Sequence, residues 1–311
     1  MNADRFGGDR NRITIAGQDP GSLVGYHLFI KESSNLFANM ILQSGTPFAA
    51  HTSPISKYFN LANWYALIST VLLISKRLRN EANKRANSFL SYLDCDVAKK
   101  SNSEITLCLQ KSETILNSAQ LHIDNATDLN KLSQAFLITM FQPVIDGRLF
   151  KEAPIESLKR GNFKKCPLLT GFTTDEGTMF LAKTKFFGTT LVEIQEKPNL
   201  NISSLTKFLE DYFAYYPFYP QSNNKLFINA VIHEYTRRLD SHVDILEIEN
   251  YFVKLSKIIG DQLVKCPTYD FIDLIAKYNA NVYFYLFAHR ISSTPWPSWY
   301  GATHGDDLGK F

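Results

Sequence analysis

An α/β architecture, a doubly wound and mostly parallel sheet, is the fold class the sequence predicts. Short β-branched or aromatic runs alternate with longer stretches of helical periodicity, the pattern of parallel strands joined by right-handed helical crossovers. Each strand run is bounded by Gly, Asn or Pro. Three residues with chemical potential, Asp19, Glu176 and His304, each fall beyond a predicted strand, where such sheets gather functional groups at their carboxyl ends. At 311 residues, 45% apolar and 20% charged, the chain has enough apolar material for a substantial core.

The elements follow in order. Strands are predicted at 12–16, 38–43, 168–173 and 281–287. Helical periodicity covers 22–31, 64–93, 128–136, 205–214, 224–240 and 245–276, the last expected to break near Cys266-Pro267 because proline removes a helical donor. The longest apolar stretch, 64–74 beginning at Trp64, is about half of the roughly 20 residues that a membrane-spanning helix needs. It reads as a buried or amphipathic helix, and membrane spanning is not expected. The basic cluster Lys76-Arg77-Leu78-Arg79 with Lys84-Arg85 reads as a solvated helix face.

Between the first strand and the first helix stands Gly17-Gln18-Asp19-Pro20-Gly21. It has the frame of the G-x-S-x-G nucleophile elbow of α/β-hydrolases, in which a serine sits on a strained strand-to-helix turn and the next backbone N–H helps bind an oxyanion. Both parts are altered here. Asp19 replaces the hydroxyl, and Pro20 has no N–H to donate. Taken locally, Asp19 reads as a helix N-cap and Pro20 as the first helical residue.

The flanking blocks carry more. Phe6-Gly7-Gly8-Asp9-Arg10-Asn11-Arg12 precedes the elbow and Met40-Ile41-Leu42-Gln43-Ser44-Gly45-Thr46-Pro47 follows it. Further on come Pro143-Val144-Ile145-Asp146-Gly147, Gly161-Asn162-Phe163-Lys164-Lys165 and Thr174-Asp175-Glu176-Gly177. Near the end are His289-Arg290, Trp296-Pro297-Ser298-Trp299-Tyr300-Gly301 and His304-Gly305-Asp306. In this order over nearly the whole chain, they resemble the type-B carboxylesterase and cholinesterase family. The resemblance implies an α/β-hydrolase-type fold, with Glu176 as the acid and His304 as the base of a triad whose nucleophile position holds Asp19.

The resemblance also implies absences. The family's glycine-rich oxyanion loop and aromatic choline-site segment would precede Phe6, and its C-terminal helices would follow Phe311. Residues 1–311 are therefore expected to form a single partial carboxylesterase-type domain, its sheet incomplete at both ends. The stretch 64–74 exceeds the family's usual connection there, as an insertion or a misread splice junction would. Cys95 and Cys108 match a family pair that forms a local disulfide, which would contribute about 3 kcal/mol and favour an oxidising, extracellular or secreted setting. Cys266 matches a family cysteine whose partner would lie beyond Phe311, and Cys166 reads as a buried thiol beside the strand at Leu168. Two sequons, at Asn125 and Asn201, point to the same compartment. In the pocket, Leu137 and Thr139 stand where vertebrate acetylcholinesterases carry phenylalanines. Met179 and Phe180 stand where an aromatic pair follows the acid. Gln18 replaces the usual glutamate and gives no field for a cationic substrate.

A net charge of +3 and the lack of a basic stripe with interleaved aromatics leave no footprint for nucleic acid, and no phosphate-binding glycine loop is present. His233-Glu234 lacks a second histidine four residues on, and the cysteines have no C-x-x-C spacing, so neither a metal nor another cofactor is expected. The aromatic run 212–220 reads as a loop packed over the core, or as a partner surface. Three functional readings remain. In the first, the chain is inactive as a serine esterase and binds an extracellular protein partner or a small hydrophobic ligand, as family members without the serine act through protein contacts. In the second, it is an active carboxylic-ester hydrolase whose site is obscured in this chain. In the third, Asp19 is itself a nucleophile, as in epoxide hydrolases and haloalkane dehalogenases.

Overall fold

In the computed structural model the described residues are 2–18, 21–49, 83, 87, 90–91, 93–95, 100–111, 143, 145–182, 185–186, 189–190, 196–214, 225–237, 250–278 and 281–309. Four parallel strands, β1 (Thr14–Gln18), β2 (Asn39–Gln43), β3 (Leu168–Thr173) and β6 (Val282–Phe287), lie side by side in the order β1-β2-β3-β6. Ile15, Met40, Leu168 and Val282 stand in register and share one face, because side chains alternate along a strand. Met40, Leu42 and Leu168 are buried there with Leu28, Phe37, Leu158, Cys166, Phe271 and Ile275. The predicted mostly parallel α/β sheet is what forms.

Element bounds shift in instructive ways. β1 begins two residues later than predicted and runs through Gly17 and Gln18, so the elbow's first two residues are strand. The helix expected over 22–31 is instead a short α1 (Gly21–Gly25), a 3₁₀ turn (Tyr26–Leu28) and a second 3₁₀ turn (Lys31–Ser33). Pro47 fits against Gly25, where a Cβ would approach its ring carbons to within 2.6 Å. Three helices absent from the periodicity appear: α2 (Asn102–Lys111), α3 (Pro154–Lys159) and α4 (Glu176–Ala182). α2 opens on a capping box, in which Glu104 accepts from the Ser101 backbone N–H at 2.7 Å. A two-residue pair, β4 (Lys185–Phe186) with β5 (Thr189–Thr190), is antiparallel.

The longer helices build a second core. α5 (Ile202–Ala214), α6 (Lys225–Thr236) and α7 (Tyr251–Gly260) bury Leu205, Leu209, Phe213, Ile228, Ile232, Leu255 and Ile259 together with Phe172 and Tyr300. Asn250 caps α7, its side chain accepting from Phe252 N at 3.0 Å. The break expected at Cys266-Pro267 does not occur. A single π turn, Asp261–Lys265, leads directly into α8 (Cys266–Ala276), and every boundary residue keeps right-handed helical torsions. Pro267 falls in the first turn of α8, where a missing N–H removes no bond from that helix.

Cys95 and Cys108 are joined in a disulfide, with Cα atoms 5.9 Å apart. Cys166 is buried and Cys266 exposed, and neither is in a disulfide. Asn201 is exposed at the start of α5, its side-chain oxygen accepting from Ser204 N at 2.9 Å. The other sequon residue, Asn125, lies outside the described residues, as do residues 64–74, the basic cluster from Lys76 through Arg79 with Lys84 and Arg85, and Tyr215 to Pro220 of the aromatic run.

Candidate active site

Parallel register brings the carboxyl ends of β1, β2 and β3 to one edge of the sheet, because Gln18 pairs with Gln43 and Gln43 with Gly171. Glu176 opens α4 just beyond β3, and His304 lies in the long loop after β6. The two meet although 128 residues separate them: His304 Nδ1 is 2.5 Å from Glu176 Oε2. The carboxylate is 0% exposed, so its charge needs compensating donors. Its other oxygen, Oε1, accepts from Thr173 N at 2.7 Å and from Ser44 Oγ at 2.6 Å. Charge-assisted bonds of this kind hold a buried carboxylate in place and leave Oε2 aimed at the imidazole.

Ser44, within the block 40–47, has a part in the site that its place in the sequence does not announce. It directly follows β2, is fully buried, and has φ of +49°, a left-handed conformation that a non-glycine residue adopts at a cost. That torsion turns the chain at the end of β2 while the hydroxyl reaches Glu176. A serine between glutamine and glycine at a strand end was the available signal.

The other ring nitrogen of His304, Nε2, is 3.1 Å from Gln18 Nε2. An amide N–H donating to an imidazole nitrogen fits a neutral ring whose proton is on Nδ1, facing Glu176. Gln18 thus belongs to the site, and Gly305 lies beside it with φ of +89°, a torsion that favours glycine. The Phe180 ring lies 4.8 Å from the His304 ring, centroid to centroid, and covers the imidazole. Met179, its neighbour in α4, is buried. Asp19, Pro20, Leu137 and Thr139 lie outside the described residues, so the structure places neither the elbow residues themselves nor the acyl-pocket pair.

Two further carboxylates anchor the base loop. Asp307 accepts from Gln43 Nε2 at 3.2 Å and from the Tyr285 hydroxyl, tying the loop to the end of β2 and the middle of β6. Burial, together with the Asp307 bond and charge, pushes Tyr285 ionisation upward. Asp306 accepts from Thr303 N at 3.0 Å. Its protonation is nevertheless shifted upward, with burial outweighing that bond. Among the described residues no group of three or more His, Cys, Asp or Glu side chains is placed to hold a metal ion. Chemically, a buried carboxylate orienting a neutral imidazole is a base awaiting a nucleophile.

Comparison with known proteins places the chain in a family. A family model described as the carboxylesterase family matches residues 1–310. The chain is similar to acetylcholinesterase of Bungarus fasciatus, at 31% identity over 308 residues, which is 99% of this chain and 43% of that protein. It is 29% identical to acetylcholinesterase of Myxine glutinosa over 301 residues, 96% of this chain and 75% of that protein. A cholinesterase of Mus musculus is 28% identical over 310 residues, 99% of this chain and 43% of the mouse protein. The chain thus spans less than half the length of the snake and mouse relatives.

Proposed function

The chain belongs to the carboxylesterase family, and from that premise we propose that it keeps the family's acid and base in place but does not hydrolyse esters, acting instead by binding outside the cell. The observation that carries this reading is the pair Asp19-Pro20, directly after the last residue of β1. A carboxylate attacking an ester must pass through an anhydride, which is uphill. Loss of one oxyanion donor alone slows such enzymes by about 100- to 1,000-fold. The contact between Gln18 and His304 Nε2 supports it further, because an amide engages the nitrogen that would take a nucleophile's proton. The Cys95–Cys108 disulfide and the exposed sequon at Asn201 suit an extracellular protein that engages a protein partner or a small hydrophobic ligand.

A second reading has an observation of its own. The linkage Ser44–Glu176–His304 is complete, as a working carboxylic-ester hydrolase would need. The test compares wild type with the double variant Asp19→Ser, Pro20→Ala on naphthyl and thiocholine esters. No turnover by wild type, with turnover in the double variant that Glu176→Gln abolishes, is the expected result. Saturable turnover by wild type would favour the second reading. An ester trapped on Asp19 by an epoxide would instead make Asp19 a nucleophile.

A further inference from the structure

His304 has no regular element of its own. It sits between two 3₁₀ turns, Ser298–Tyr300 and Asp306–Leu308, in a loop whose strand-like pairing among the described residues is one parallel bridge, Asp175 with Thr303. Asp175 is the residue immediately before Glu176. Its backbone N–H donates to Ala302 O at 3.0 Å, and its Oδ2 accepts from Ala302 N at 3.0 Å. The same oxygen accepts from Thr174 Oγ1 at 2.7 Å. Gly301 packs against it so closely that a Cβ there would lie 2.2 Å from Asp175 Oδ2, and its φ of +69° already favours glycine.

We propose that Asp175 is a positioning residue for His304, latching the base loop so that the imidazole meets Glu176. Glu176 is immobilised from the other side by Ser44 and Thr173, so the ring reaches it only if the loop backbone sits at the right height. A slip of one residue along the Asp175–Thr303 bridge would move His304 by about 3.3 Å, beyond hydrogen-bond reach. Two consecutive residues therefore divide the work, Asp175 holding the backbone of the base and Glu176 holding its ring. Beneath the latch, Lys265 Nζ donates to Thr174 O at 2.8 Å and fastens the loop carrying Asp175 to the π turn. Above it, Asp306 accepts from Thr303 N and keeps the turn around His304 closed. The inference rests on the bonding around the loop and holds whichever nucleophile the elbow carries.

The test reads the base directly and needs no turnover. In protein labelled with ¹⁵N-histidine, the Nδ1 proton of His304, assigned by its loss in His304→Ala, gives a far-downfield signal in slow exchange with water. In Asp175→Ala this proton exchanges at least about tenfold faster, as expected on losing a charge-assisted latch. Gly301→Ala, which drives the same groups apart from the opposite side, has the same effect. Asp175→Asn keeps an acceptor for Ala302 N–H and retains most of the protection. Global stability is followed in parallel by urea unfolding. The inference is overturned if Asp175→Ala and Gly301→Ala leave His304 exchange within twofold of wild type, or if it rises only in proportion to lost global stability. Should either variant fail to fold, Thr174→Val, which removes a donor to Asp175 Oδ2, replaces it; weakened global stability with an unchanged His304 signal then overturns it as well.

Discussion

A single hydroxyl at Ser44 shows how much of this site is decided residue by residue. Glu176 is wholly removed from water, and three groups share its two oxygens: Ser44, Thr173 and His304. Removing Ser44 Oγ leaves a buried charge short of one donor, a loss of about 1.5–3 kcal/mol for a bond to an ionised partner. Ser44→Ala should therefore lower the urea midpoint accordingly. Ser44→Gly should lose less, because glycine accepts the left-handed torsion at +49° without penalty. Equal losses in the two variants would mean that the torsion stores no strain. Glu176 and His304 were legible in the sequence through their motifs and were brought together as expected. Ser44 was not, because a hydroxyl at a strand end carries no periodicity, and its role arises only when β2 and β3 lie side by side. The same holds for Asp307 and Tyr285, whose bond joins a loop to a strand.

Helices hold the acid where the strands present it. α4 crosses α7 at a glycine pair: a Cβ on Gly177 would stand 1.8 Å from Ser256 O, and one on Gly260 would stand 2.8 Å from Gly177 N and 3.3 Å from Glu176 Cβ. Thr178 and Ser256 hydroxyls share a bond of 2.9 Å at the same crossing. Backbone meets backbone there, so no side chain can yield. Gly177→Ala is expected to cost at least about 3 kcal/mol in chemical unfolding, the upper range for overpacking. A loss under about 1 kcal/mol would show that the helices part easily. At this scale the four strands of the parallel sheet were legible to within two residues, since short apolar runs between glycines and prolines have few other uses, whereas the two-residue β4 and β5 were not. The helices of 5 to 7 residues were less so: α1, α3 and α4 are too short to display a sustained amphipathic period. The expected break at Pro267 failed for a different reason. A π turn ahead of the proline re-registers the helix and lets it continue.

Across the molecule, two packed cores form beside one parallel sheet, and two ionisable tyrosines are partly buried, Tyr235 among them against the helical core. Tyr285 and Tyr235 each donate a hydroxyl proton to a partly buried aspartate, Asp307 and Asp261. For both tyrosines burial is the leading cause that pushes ionisation upward, and the neighbouring aspartate adds to it. The sign follows from linkage. Below the ordinary tyrosine value of about 10 both folded and unfolded chains keep these protons, and the contribution is complete. Above it the unfolded chain releases them first, so stability falls as pH rises from about 10. Urea unfolding between about pH 8 and 11 should show that decline, and replacing both tyrosines by phenylalanine should flatten it; an unchanged slope would contradict the assignment. Fold class and family were readable from the sequence because the blocks recur in order along the chain, and several of them mark a strand end or the loop of His304. Function is less readable, since on the proposed reading it turns on two residues, Asp19 and Pro20, while Glu176 and His304 stay in contact. The most direct test is therefore hydrolysis of a naphthyl ester by the wild-type protein, measured beside His304→Ala. The account predicts that the two are indistinguishable. Saturable wild-type turnover that His304→Ala abolishes would contradict it.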